Sequence, residues 1–120
     1  MTHGGSEMAL AAWVEARLVD VDAGLASRVR DAIGATDASA TVRDAPNVLL
    51  RAATARLTRL AAEGCVARES ATELLAVDTL VTLACEALAD ACDAPADIAA
   101  GTTEMLRAIA ATMPELDGAA

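Results

Sequence analysis

Rings are almost absent from this chain: it has one Trp, Trp13, one His, His3, and neither Phe nor Tyr. A core must therefore be made of Leu, Val, Ile, Met and Ala. Because Ala is small and has the best intrinsic helix propensity, close-packed helices are favoured over strands. Lys is also missing, so all nine basic residues are Arg; with the many Ala and Gly residues this reads as genome composition and not as a site. No long hydrophobic run occurs either. The longest apolar window, residues 74–89, is interrupted by Asp78 and Glu86 and is too short to span a bilayer comfortably, so no membrane insertion is expected. The first residues lack a basic stretch followed by an apolar one, the mark of a secretory leader, and a cytoplasmic location is expected.

The common signposts of catalysis are missing as well. The chain contains no CxxC, HExxH, GxSxG, P-loop or GxGxxG pattern, and the expectation is a protein with no catalytic residue, no metal and no cofactor. His3 lies in a Gly-rich terminus, apart from any cluster. Three cysteines at irregular spacing, Cys65, Cys85 and Cys92, read as free thiols and not as a disulfide framework. Cys85 and Cys92 share a helix face but sit about 10 Å apart along the axis, too far to bridge. They are expected to pack as core thiols.

What is present is acid. The net charge is −9 and the pI about 4.3, which argues against nucleic acid or an anionic membrane as partner. The charge is unevenly placed. Residues 1–42 carry six acids and three Arg, residues 43–68 two acids and five Arg, and residues 69–120 ten acids and one Arg. The basic middle third suggests a match between Arg51, Arg56 and Arg59 and the acidic ribbon of Asp78, Glu86 and Asp90, within one chain or between two. Solvated surface charge is the plainer outcome.

The 120 residues fit one helical domain, with residues 1–6 and 115–120 as tails. Ser6 is placed to cap a first helix carrying Leu10, Trp13, Val14, Leu18 and Val21, and the run 19–24 predicts a break or kink with Asp22 as a fresh cap. A short helix from about 23 to 33 follows, with Gly34 at its C′ position and a loop over 35–43. Asp44 and Pro46 start a helix to Glu63 that buries Leu49, Leu50, Ala53, Leu57 and Leu60. Gly64 ends it in a left-handed conformation, with Cys65 touching Leu60. Ser70 and Glu73 have the spacing of a capping box.

The helix opened there, about residues 70–93, leaves almost no solvent face and predicts the centre of a small all-α bundle of four to five helices. Asp78, on its most apolar part, stands either on the rim of the polar ribbon or buried against an Arg of the preceding helix. Ala94 and Pro95 start a last helix with a stripe of Ile98, Thr102, Met105, Leu106, Ile109 and Met113, stopped by Pro114. A recognition helix for DNA is disfavoured because Leu74, Leu75 and Val77 occupy its contact positions.

Two functions fit these features. One is a non-catalytic interaction or assembly module that pairs as a homodimer, or with another protein, because its apolar surface exceeds what it can bury alone. The other is a carrier or sensor holding an apolar small molecule among Ala-lined helices with Met105 and Met113.

Overall fold

A computed structural model describes residues 8–37, 39–64, 68–91 and 95–118. They form five α-helices: α1 (Leu10–Arg17), α2 (Ala23–Asp37), α3 (Ala45–Glu63), α4 (Arg68–Ala91) and α5 (Pro95–Gly118), with a 3-10 turn at Val42–Asp44 ahead of α3. The only extended pairing among the described residues is an isolated bridge between Ala9 and Thr41, which ties the start of α1 to the segment entering α3. The all-α bundle expected from composition is what forms.

The core is one cluster drawn from every helix. Leu10, Val14, Val29, Val48, Leu49 and Leu80 are its largest fully buried side chains. Ala26, Ala45, Ala52, Ala53, Ala76, Ala84 and Ala87 fill the seams between helices, which is how a chain almost without rings brings backbones close enough to exclude water. α3 and α4 form the central hairpin, and α2 packs across both.

Several local expectations hold. The chain breaks between α1 and α2, where the Asp22 carboxylate accepts from the backbone N–H groups of Gly24 (3.0 Å) and Leu25 (3.2 Å). Pro46 sits in the first turn of α3, and Gly64 closes that helix with φ +92°. No atom beyond its chain neighbours lies within 4 Å of a Cβ built on Gly64, so only the backbone penalty opposes a side chain there. Gly64→Val is expected to cost about 1–2 kcal/mol, seen as a lower melting temperature by circular dichroism.

Other expectations are corrected. α2 continues through Gly34 to Asp37, so Gly34 is an interior residue and not a C′ cap. Asp44 stands at the N-cap of α3 but makes no side-chain capping bond; it also ends the 3-10 turn that leads into the helix. α4 starts at Arg68, which puts Ser70 inside the first turn and removes the capping box. α5 runs through Pro114 to Gly118, so that Pro does not stop the helix and 115–118 is no tail. The Ser6 cap, the Cys65 contact with Leu60, and Cys92, Asp93 and Ala94 lie outside the described residues.

α4 also departs from the sealed helix that its composition suggested. Ala76, Leu80, Leu83, Ala84 and Ala87 are buried, whereas Leu74 and Leu75 are 46% and 56% exposed and Cys85 is an exposed thiol, not a core one. α5 lies over α3 and α4. Met105 is its buried side chain among the described residues, Leu106 is 61% exposed, and Gly101 lets the helix come against Leu88.

Candidate functional site

Three features of α4 bear on function: a buried ion cluster at its first turns, an acid pair near its last, and the outward face between them. The first centres on Glu73, the one charged residue buried among those described. It occupies a core position on α4, in line with Ala76, Leu80, Leu83 and Ala87. Arg28 of α2 donates from Nη1 to its Oε2 at 2.6 Å, and Arg56 of α3 from Nη1 to its Oε1 at 3.1 Å. Arg59 adds a longer ion pair at 3.6 Å. One carboxylate thus clamps α2, α3 and α4. Beside it lies a shallow cleft of about 220 Å³ lined by Arg28, Arg59, Leu60, Glu63, Glu69, Ser70 and Glu73.

Burial alone pushes the Glu73 carboxyl up. The hydrogen bonds from Arg28 and Arg56, with their charges, outweigh it and hold the group below the ordinary Glu value. Such a carboxylate is a poor proton acceptor, so the cluster suits a structural clamp better than acid–base chemistry. A carboxyl lowered by folding contributes stability above its unfolded value and loses it as pH falls through the folded one. The melting temperature is therefore expected to fall as pH drops below about 4.5. Glu73→Gln, which cannot titrate, is expected to flatten that acid limb.

The second feature joins α1 to α4. Arg17 reaches Glu86 at 3.1 Å and Asp90 at 2.9 Å, and its guanidinium lies 4.0 Å from the ring centre of Trp13, a cation–π contact. A second cleft of about 320 Å³ is lined by Arg17, Asp78, Thr79, Thr82, Leu83 and Glu86. Farther off, Arg30 holds Glu15 across α1 and α2 at the surface, its hydrogen bond drawing the Glu15 carboxyl below its usual value. Solvated pairs of this kind add little stability.

The six charged residues singled out in the sequence are thus sorted. Arg56 and Arg59 face Glu73 and not the acidic ribbon, and Glu86 and Asp90 are taken by Arg17 of the same chain. Arg51 is exposed beside a cleft with Asp37, Asp44, Asn47 and Ala108. Asp78 is exposed, on the rim of α4, and has no ion pair among the described residues. The buried carboxylate held by an Arg of the preceding helix exists, but it is Glu73. Arg17 and Arg28 were not anticipated; both lie in the first third, outside the basic segment.

Among the described residues, no group of three or more His, Cys, Asp or Glu is arranged to hold a metal ion. No helix among them is long and apolar enough to cross a membrane.

These features define a small all-α bundle whose polar clusters lock its helices together and whose central helix keeps an uncovered apolar edge. The sequence matches no family model, and no curated protein or solved structure matches it either.

Proposed function

We propose that the chain is a non-catalytic assembly module of the cytoplasm that works by pairing with a second copy of itself, without metal or cofactor. The observation that carries this reading is the pair of leucines, Leu74 and Leu75, left open to solvent on the central helix, with Leu106 on α5 as further exposed apolar surface. Large aliphatic groups grouped on a helix of so small a domain suit a protein contact. An apolar ligand carrier is less well supported. Met105 is packed into the core, and the three clefts lined by Arg28 and Glu73, by Arg17 and Glu86, and by Asp37 and Arg51 each carry charged side chains on their walls.

Pairing brings together two chains of charge −9, so its strength depends on screening and on whatever ion pairs form across the contact. Sedimentation velocity at micromolar concentration is expected to show a dimer whose affinity shifts with salt. A monomer at both low and high salt overturns the proposal.

A further inference from the structure

We draw no further inference here: the strongest candidate, the shallow cleft at the first turns of α4 lined by Arg28, Arg59, Glu63, Glu69 and Ser70, belongs to the Glu73 ion cluster already described, where the guanidiniums are turned onto Glu73 and the Glu63 and Glu69 carboxylates on the walls offset their charge, so nothing in the structure points to a ligand of either sign.

Discussion

Glu73→Ala is expected to destabilise the fold by about 3 kcal/mol, near the lower end of what removing one member of a buried ion cluster costs. Its carboxylate is only 8% exposed and receives Arg28, Arg56 and Arg59. Once it is gone, Arg56, 16% exposed, is left without a counterion in a nearly dry position. Arg28 and Arg59, at 35% and 57%, can turn toward water, which keeps the loss below the upper end. Chemical denaturation followed by far-ultraviolet circular dichroism measures it. Glu73→Leu separates the two contributions: it fills the space but leaves the guanidiniums unpaired, so a loss close to that of Glu73→Ala assigns the effect to charge, and recovery of most of the stability assigns it to volume.

Leu80→Ala is expected to cost a similar amount, about 3 kcal/mol, for an unrelated reason. Leu80 is 0% exposed at the middle of α4, a helix whose buried face also carries the small residues Ala76, Ala84 and Ala87. Alanines on the same face have no longer rotamer with which to fill the hole, and the cost lies inside the range for buried Leu truncations. The contrast is Leu75→Ala on the same helix. Leu75 is 56% exposed, and in the monomer its truncation is expected to change the denaturation midpoint little.

Much of the architecture was legible because it is written in punctuation and period. Gly64, Pro46 and Asp22 act through their own backbone and side-chain geometry, which needs no neighbour to be read. Gly34 misled because a glycine inside a helix and one just beyond it differ only in what the following residues do, and Ala35, Thr36 and Asp37 carry on the helix. Ser70 and Glu73 misled in another way. Their spacing fits a cap, but Glu73 also fits the buried series of Ala76, Leu80, Leu83 and Ala87, and a charge at a core position signals a buried partner.

Which Arg it meets was not legible, since Arg28 and Arg56 lie 45 and 17 residues away and only the packing of three helices brings them in. The exposure of Leu74, Leu75 and Cys85 was hidden for a related reason. Composition says that a helix is apolar all round, but not which side runs out of neighbours.

Trp13 is packed at the edge of the core beneath the Arg17 guanidinium, and the chain has no other Trp and no Tyr. Its near-ultraviolet absorption and its emission therefore arise from one spot on α1, beneath the Arg17 that reaches Glu86 and Asp90 of α4. A fluorescence unfolding curve of this protein therefore reports the surroundings of α1, whereas far-ultraviolet dichroism averages over all five helices. Coincidence of the two curves would mean that α5 melts with the rest. A dichroism loss that precedes the change in emission would mark α5 as a separately opening unit.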